Sequence, residues 1–315
     1  MVETHGMRGR DMRVAAIDCG TNSIRLLIAD VSASGMRDVV REMTVVRLGQ
    51  GVDATGRFAD DAIARTFAAC DQYAAQCARK GVERIRFVAT SATRDAANRD
   101  VFIRGVEERL GVTPEVISGD EEAALSFAGA TRELLGNTPS PFLVLDIGGG
   151  STEFVLGIEA PLAARSMNVG CVRMTERHRI TDRPSEESLA AATEDIDEAI
   201  LEAAGTVPLH DAKTLVGVAG SVTTVAAHAL GLLAYDPYAI HLARLSLAQV
   251  QAASDDFSRA TASERAALPY MHPGRVDVIP AGALILRRVM EVGGFDRVLV
   301  SEHDILDGIA WSIAS

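Results

Sequence analysis

The sequence has few cysteines and few aromatic residues. Its 315 residues include four cysteines, one tryptophan and only 4% aromatic residues in total. The cysteines show no C-x-x-C or other metal-binding spacing, so we interpret them as small buried hydrophobic residues of a reducing compartment. Because aromatic side chains are scarce, a surface on which nucleic-acid bases stack is not expected.

Long hydrophobic runs and an excess of positive charge are also absent. No apolar run approaches the roughly 20 residues that a membrane-spanning helix needs, and the polar, basic start of the chain has no secretory-signal core. We therefore expect a cytoplasmic protein without a membrane partner. The net charge of −12 argues against nucleic-acid binding. It leaves a phosphate-rich ligand open, because a few arginines and a bound Mg²⁺ can form a positive pocket on an acidic protein.

The composition, 48% hydrophobic and 23% charged, is typical of a folded globular chain long enough for two domains. Strand and helix patterns alternate along both halves, which predicts an α/β protein. We place a disordered tail at 1–12, a first domain at 13–135 and a second domain at 136–303. A C-terminal helix at 304–315 could complete the first domain.

Two segments of the chain resemble each other. When Ile17–Leu27 is aligned without a gap on Leu145–Val155, Asp18 matches Asp146, and apolar strands flank both turns. The alignment also matches Gly20 with Gly148 and Ser23 with Ser151. A repeat of this kind predicts two domains of similar build. The alternative is that each is an ordinary hairpin turn, in which Asp and Gly are common.

The second of these segments has the pattern of an anion-binding turn. Three consecutive glycines, Gly148 to Gly150, lie between Asp146 and Glu153. A turn without side chains lets a polyanion approach the backbone N–H groups, here those of 148–152. The two carboxylates at its edges are hard oxygen ligands that could bind a divalent metal.

Two strand-turn-helix junctions add possible phosphate contacts. Arg94 lies in a hydroxyl-rich turn that opens a helix, and Gly220 and Ser221 lie in a turn of small residues before another helix. A helix N-terminus and a guanidinium are both favourable for an anion. A solvated Arg94 at the start of its helix remains the alternative.

Together these residues predict phosphoryl transfer, in which positioning and charge neutralisation supply most of the catalysis. If water is the acceptor, a carboxylate must deprotonate it, and Glu122, Asp18 and Asp146 are the candidates. Local sequence alone favours a solvated Glu122. Ser118 and Glu121 form the pattern of a capping box beside it, so that Glu122 lies in the first turn of a helix.

The chain resembles the exopolyphosphatase/guanosine pentaphosphate phosphohydrolase family, which lies within the actin, sugar kinase and heat-shock ATPase superfamily. The matching motifs run in family order from about Val14 to Ile309: AIDCGTNSIRLLI, RLGQGVDATGRF, ATSATRDAAN, ISGDEEAALSFAGA, VLDIGGGSTEFVLG, NVGCVRM, GVAGSVTTVAA, GRVDVIPAGALIL and VSEHDILDGI. The resemblance implies two RNase-H-like domains around a cleft. It also implies a short form without the further C-terminal domains of larger members.

The same resemblance implies residue roles. Glu122 would be the catalytic base, although the local sequence favours a solvated carboxylate there. Asp146 and Glu153 would be the acidic pair near the metal and the attacking water. Asn22, Ser23, Arg94, Gly148 and Ser151 match family positions that contact phosphate. The turns themselves add the further phosphate-binding candidates Asp18, Gly20, Thr21, Gly149, Gly150, Thr152, Gly220 and Ser221. Mg²⁺ is the implied cofactor, with Mn²⁺ and a monovalent cation as further options, and a homodimer is an option for assembly.

Several functions are compatible with the sequence. The leading hypothesis is removal of terminal phosphate from inorganic polyphosphate. The runner-up is hydrolysis of the 5′ γ-phosphate of guanosine pentaphosphate. A kinase of the same superfamily and a non-hydrolytic sensor of polyphosphate or guanosine tetraphosphate are the other readings. A nuclease with an RNase-H-like fold is disfavoured by the acidic composition.

Overall fold

The computed structural model describes residues 12–32 and 35–314. Its strands are β1 Met12–Cys19, β2 Ser23–Ser32, β3 Gly35–Val45, β4 Arg84–Ala89, β5 Glu115–Val116, β6 Phe142–Ile147, β7 Thr152–Gly157, β8 Pro161–Met167, β9 Thr214–Val218, β10 Arg244–Ser246 and β11 Arg297–Val300. Its helices are α1 Val52–Thr55, α2 Asp60–Lys80, α3 Ser91–Asp95, α4 Arg99–Leu110, α5 Gly119–Thr131, α6 Cys171–Arg177, α7 Glu186–Ala204, α8 Ala219–Ala229, α9 Pro237–Ile240, α10 Leu247–Arg259, α11 Ala262–Ala266, α12 Ile279–Gly293 and α13 Ile305–Ala314.

The strands form two sheets with related topology. The first has the order β3-β2-β1-β4-β5 and the second the order β10-β11-β9-β6-β7-β8. In each sheet three consecutive strands form an antiparallel meander, β1-β2-β3 or β6-β7-β8. The first strand of each meander also pairs in parallel with a later strand, β4 or β9. The α/β class and the pair of RNase-H-like sheets are thereby confirmed.

Buried apolar side chains fill both faces of the central strands. Along β1, for example, Ala15 and Ile17 pack under α2 and α4, whereas Val14 and Ala16 pack under α13. Successive strand residues point to opposite faces, so an uninterrupted apolar run is what a sheet covered on both sides requires. Among the described residues, no helix has the length and apolar composition that a membrane crossing requires.

Helices α5 and α13 lie between the two sheets. Helix α5 packs Ala123, Phe127 and Ala130 against the second sheet, and α13 packs against the first sheet. The two helices touch at glycines. A Cβ at Gly129 would lie 1.8 Å from the Asp304 carbonyl oxygen, and one at Gly308 would lie 1.9 Å from that of Leu125. Side chains are therefore excluded from this contact.

Gly308→Ala should destabilise the protein, because the added methyl group meets backbone that cannot rotate away. Overpacking typically costs about 1–3 kcal/mol, and we expect a loss of at least that size in the free energy of unfolding, measured by urea titration. Ala128→Ser, on the exposed side of α5, is the control and should change it by less than about 0.5 kcal/mol. An unchanged midpoint for Gly308→Ala would contradict this account of the contact.

Several predicted elements differ in detail. The glycine-rich composition of GQGVDATGRF predicts a loop, but this segment contains the short helix α1. The amphipathic pattern of Leu245–Phe257 predicts one helix, whereas the structure has strand β10 followed by α10. Helix α10 starts where it does because Ser246 and Gln249 form a complete capping box. The capping box predicted at the start of α5 is only half formed. Ser118 accepts from the Glu121 amide at 3.2 Å, but the Glu121 carboxylate pairs with Arg86.

The division of the chain into domains at 13–135 and 136–303 remains a prediction. Strand β1 begins at Met12, the last residue of the predicted disordered tail. The rest of that tail lies outside the described residues. Helix α13 packs against strands β1 and β2 of the first sheet, as a C-terminal segment completing the first domain would.

Candidate active site

The two halves present the same turn to one another. In the first hairpin the Gly20 amide donates to the Ser23 carbonyl oxygen at 2.9 Å, and in the second the Gly148 amide donates to that of Ser151 at 3.0 Å. The repeat found in the sequence is therefore also a structural repeat. Among the described residues, the amides of 149–151 donate to no protein group. Unpaired amides in a turn are the donors that a phosphoryl group needs.

Two of the three glycines are needed where the halves meet. A Cβ at Gly149 would lie 2.8 Å from the Thr21 Cβ. One at Gly150 would lie 2.5 Å from the Ser91 Oγ and 2.7 Å from the Thr21 Oγ1. These two hydroxyls are themselves 3.0 Å apart and hydrogen-bonded. The glycine run therefore lets the first half approach the turn closely, a role that the sequence did not indicate.

Glu122 is buried rather than solvated, with 8% of its surface exposed. The Arg94 Nη1 donates to its Oε2 at 2.7 Å, and the same nitrogen donates to the Ile117 carbonyl oxygen at 3.0 Å. Burial raises the pKa of Glu122 to about 7, although Arg94 acts in the opposite direction. A carboxylate with this pKa is suited to accept a proton near neutral pH. The local expectation of a solvated Glu122 is wrong.

Asp146 and Glu153 are directly opposite each other on β6 and β7. Opposed residues of antiparallel strands project from the same face. Ser126 donates to the Asp146 Oδ2 at 2.6 Å, and Ser166 donates to the Glu153 Oε1 at 2.7 Å. Burial raises the pKa of Asp146 to about 6 and that of Glu153 well above its usual range, and neighbouring carboxylates add to both shifts.

In the first half the equivalent pair is Asp18 and Arg25, opposed on β1 and β2. The Arg25 Nη2 is 2.6 Å from the Asp18 Oδ2, and its Nη1 donates to Asp304. Arg25 therefore links the first hairpin to the segment that precedes α13. Burial raises the pKa of Asp18, whereas Arg25 opposes this shift.

These groups surround one cleft of about 100 Å³ between the halves. The predicted residues that line it are Asp18, Gly20, Thr21, Asn22, Ser23, Glu122, Asp146, Gly148, Gly149, Ser151, Gly220 and Ser221. The other predicted residues do not line the cleft but contact its surroundings. Gly150 contacts the first half, Thr152 donates to the Val169 carbonyl oxygen, Arg94 holds Glu122, and Glu153 lies beside Asp146.

From the sequence, Arg275 could serve either the architecture or the cleft, and it is not among the predicted site residues; in the structure it lines the cleft. It donates to the Thr224 Oγ1 at 3.0 Å, and its guanidinium carbon lies 6.0 Å from the centroid of the Tyr235 ring. A Cβ at Gly220 would lie 2.3 Å from its Nη2, so glycine at 220 makes room for the guanidinium. Its place in the family-like motif GRVDVIPAG was the available signal. That motif did not distinguish a cleft residue from a structural one.

The protein-family comparison matches residues 27–314 to the Ppx/GppA phosphatase family. The chain belongs to the Ppx/GppA phosphatase family. It is 51% identical to exopolyphosphatase 2 of Mycobacterium tuberculosis, over 96% of this chain and 98% of the relative. It is 37% identical to a guanosine-5′-triphosphate,3′-diphosphate pyrophosphatase of Pseudoalteromonas atlantica, over 56% of this chain and 35% of that protein. The crystal structure of an exopolyphosphatase-like protein superposes with a TM-score of 0.92 at 47% identity, covering 96% and 98% of the two chains.

A divalent cation fits the charges of this Ppx/GppA cleft. Buried carboxylates outnumber the arginines paired with them, which are Arg25 and Arg94. These carboxylates are Asp18, Glu122, Asp146, Glu153 and Asp304. The Asp18 Oδ1 is buried with no hydrogen-bond partner among the described residues. Within that part of the chain, no three cleft ligands lie within 4.8 Å of one another. Mg²⁺ typically takes one or two carboxylates and completes its shell with phosphate and water.

The predicted role of Glu122 as the general base, together with its pKa of about 7, implies that activity falls at low pH. Only the ionised carboxylate accepts a proton, so kcat/KM should rise as the pH increases through about 7. Arg94→Gln removes the neighbouring cation that lowers this pKa, so the rise in kcat/KM should move to higher pH. Phosphate release measured from pH 5.5 to 9 checks both statements. If kcat/KM falls at the same pH in both proteins, the proposed effect of Arg94 on the pKa of Glu122 is contradicted.

Proposed function

We propose that this enzyme hydrolyses the terminal phosphoanhydride bond of inorganic polyphosphate and releases orthophosphate, with Mg²⁺ as its cofactor. The observation that carries the proposal is the pairing of a buried base, Glu122, with a turn whose amides at 149–151 are unpaired. One group accepts a proton and the other binds a phosphoryl oxygen. The relative from Mycobacterium tuberculosis, 51% identical over nearly the whole chain, is named an exopolyphosphatase.

Substrate binding would use donors from both halves. The amides of the second hairpin would bind oxygens of the terminal phosphate, and Ser151 and Ser23 would add hydroxyl donors. Arg275 supplies a further cation, held by its 3.0 Å hydrogen bond to the Thr224 Oγ1 and close enough to Glu302 to lower the pKa of that carboxyl group. Fixed donors that need no reorganisation stabilise the charge of the transferring phosphoryl group as it develops.

Proton transfer would then use Glu122. The Arg94 contact at 2.7 Å holds one carboxylate oxygen, Oε2, and leaves Oε1 to accept a proton from the attacking water. Asp146 and Glu153 would hold Mg²⁺. When bound, the ion neutralises phosphate charge and polarises the phosphoryl oxygens. The closed wall formed by Thr21, Ser91 and the glycine turn would exclude other water from this region.

A second candidate substrate is guanosine pentaphosphate. A cavity of about 450 Å³ adjoins the cleft and shares Arg25, Gly220 and Arg275 with it. Tyr235 and Tyr270 line this cavity, and aromatic side chains in a cavity of this size suit a nucleoside. The relative from Pseudoalteromonas atlantica is named for hydrolysis of this nucleotide. The match covers 56% of this chain, so we rank this substrate second.

Phosphate release from purified protein decides between the substrates. We expect a higher kcat/KM for short- and medium-chain polyphosphate than for guanosine pentaphosphate, with both activities lost in excess EDTA and restored by Mg²⁺. ATP serves as a further substrate, since a kinase would use ATP and spare polyphosphate. A preference for the nucleotide would reverse our ranking. Full activity in EDTA would refute the metal assignment.

A further inference from the structure

Three side chains able to bind a metal meet outside the cleft. They are Glu133 in the turn after α5, His241 directly after α9, and His303 between β11 and α13. Each offers one ligand atom, and these three atoms all lie within 4.8 Å of one another. Among the described residues, no other group of three His, Cys, Asp or Glu side chains meets that condition. We refer to these residues as the Glu-His-His cluster.

Both imidazoles converge on one carboxylate oxygen. The Glu133 Oε1 lies 2.8 Å from the His241 Nε2 and 3.0 Å from the His303 Nδ1. The two rings are 4.6 Å apart between centroids and are tilted by 48° rather than stacked in parallel. These hydrogen bonds lower the pKa of Glu133 to about 2, so its carboxylate is ionised at neutral pH. The three donors come from separate chain segments, and the fold alone brings them together.

We propose that the Glu-His-His cluster is a binding site for Zn²⁺. Two imidazole nitrogens and one carboxylate oxygen are ligands that zinc prefers, and with three protein ligands zinc keeps a fourth position for water. Mg²⁺ is not expected there, because it binds oxygen ligands almost exclusively. The cluster is partly exposed, with 35% of the Glu133 side chain and 42% of that of His303 accessible, so an ion can enter from solvent.

Zinc would replace the protons that now lie between the rings and Glu133. Binding a metal requires neutral imidazoles with the ligating nitrogen deprotonated. In the structure the Glu302 amide donates to the His241 Nδ1 at 3.2 Å. Ligation through Nε2 places the proton of this ring on Nδ1, so that contact has to open. Zinc binding therefore involves a small movement of the Glu302 amide as well as a change of tautomer.

The site would connect distant parts of the chain. His303 lies beside Asp304, which accepts from Arg25 in the cleft. Glu302 accepts from the Tyr235 hydroxyl at 2.7 Å, and Tyr235 lines the second cavity. A metal bound to the Glu-His-His cluster would hold the end of α5 against the 302–304 segment. It should raise the unfolding temperature, because it binds the folded state and not the separated segments.

The test is zinc titration of protein from which any polyhistidine tag has been removed, in excess Mg²⁺ to occupy the cleft. Calorimetry should show one zinc per chain, and Co²⁺ in its place should give the visible absorption of a tetrahedral site. His241→Gln and His303→Gln should each weaken binding by more than the roughly 10–100-fold loss that follows removal of an outer-shell partner. His210→Gln, at an exposed histidine outside the cluster, is the matched control and should bind as the parent protein does.

Three results would overturn the proposal. They are the absence of saturable zinc binding by the parent protein, unchanged affinity in both cluster variants, and loss of binding in Asp146→Asn, which would place the zinc in the cleft. Thermal unfolding of the metal-free variants checks their fold. If His241→Gln or His303→Gln is unfolded, Glu133→Gln, which keeps the size of the side chain, takes its place under the same criteria.

Discussion

Glu122→Gln should lower kcat for phosphate release by roughly 10²–10⁴-fold, the usual contribution of a positioned general base. The substitution keeps the size of the side chain and its contact with Arg94, but the amide cannot accept the proton of the attacking water. Substrate binding should survive, because the unpaired amides of 149–151 and Arg275 are unaffected. The change should therefore appear in kcat, with KM altered much less.

The experiment measures phosphate release under multiple and single turnover, and polyphosphate binding by the inactive variant. Glu121→Gln is the matched control, because Glu121 is the preceding residue, is largely exposed and pairs with Arg86 on the surface. It should keep the activity of the parent protein. Unchanged kcat in Glu122→Gln would remove this residue from the mechanism and would require another base, Asp18 or Asp146. Loss of binding together with activity would indicate a damaged site instead.

Glu122 also shows where reasoning from local sequence fails. Its position in the first turn of a helix favoured a solvated carboxylate; the chemistry made it one of three candidate bases, and only the family resemblance selected it among them. The buried Glu122 pairs with Arg94, 28 residues earlier, and the Asp146 and Asp18 carboxylates add to the rise in its pKa. No local pattern includes such distant neighbours. The half-formed capping box has the same cause, because Arg86 on β4 attracts the Glu121 carboxylate that would have completed it.

The repeat was predictable because it depends on short-range features. An Asp-x-Gly turn between apolar strands specifies its own hairpin, and the structure repeats the turn hydrogen bond in both halves. The alternation of strands and helices likewise predicted the α/β class. Ordinary turns in the two hairpins would explain the residues but not the matched position of Asp18 and Asp146 at the same point of two related sheets.

The contacts across the cleft could not be read from the sequence. Arg275 reaches the cleft from the segment before α12, and the space it needs is provided by Gly220, 55 residues earlier. Asp304 neutralises Arg25 across an even longer separation. The three glycines illustrate the same limit. The sequence suggests a phosphate turn, and only the packed halves show that Gly149 and Gly150 also have neighbours that exclude a side chain.

That packing leads to the second large effect. Gly150→Ala should lower kcat/KM by roughly 10²-fold, the loss that a displacement of about 1 Å in an active site can cause. The new methyl carbon would lie 2.5 Å from the Ser91 Oγ and 2.7 Å from the Thr21 Oγ1. Both hydroxyls are buried and hydrogen-bonded to each other, so we expect the hairpin and the first half to separate rather than the hydroxyls to rotate away. The unpaired amides would then move away from Glu122, and the base and the phosphate donors would no longer act on the same atoms.

A rescue variant separates this cause from general damage. Ser91→Ala in the Gly150→Ala background removes the nearest atom, leaving Thr21, and should recover part of the lost kcat/KM. Unfolding temperature should change little in either protein, because each half keeps its own core. Activity of Gly150→Ala equal to that of the parent would contradict the expected separation, because the Ser91 and Thr21 hydroxyls would then have rotated away or the halves would be farther apart during catalysis than in this structure. A loss that Ser91→Ala leaves unchanged would instead point to the turn itself, since an alanine there would alter the amides that bind phosphate rather than the approach of the first half.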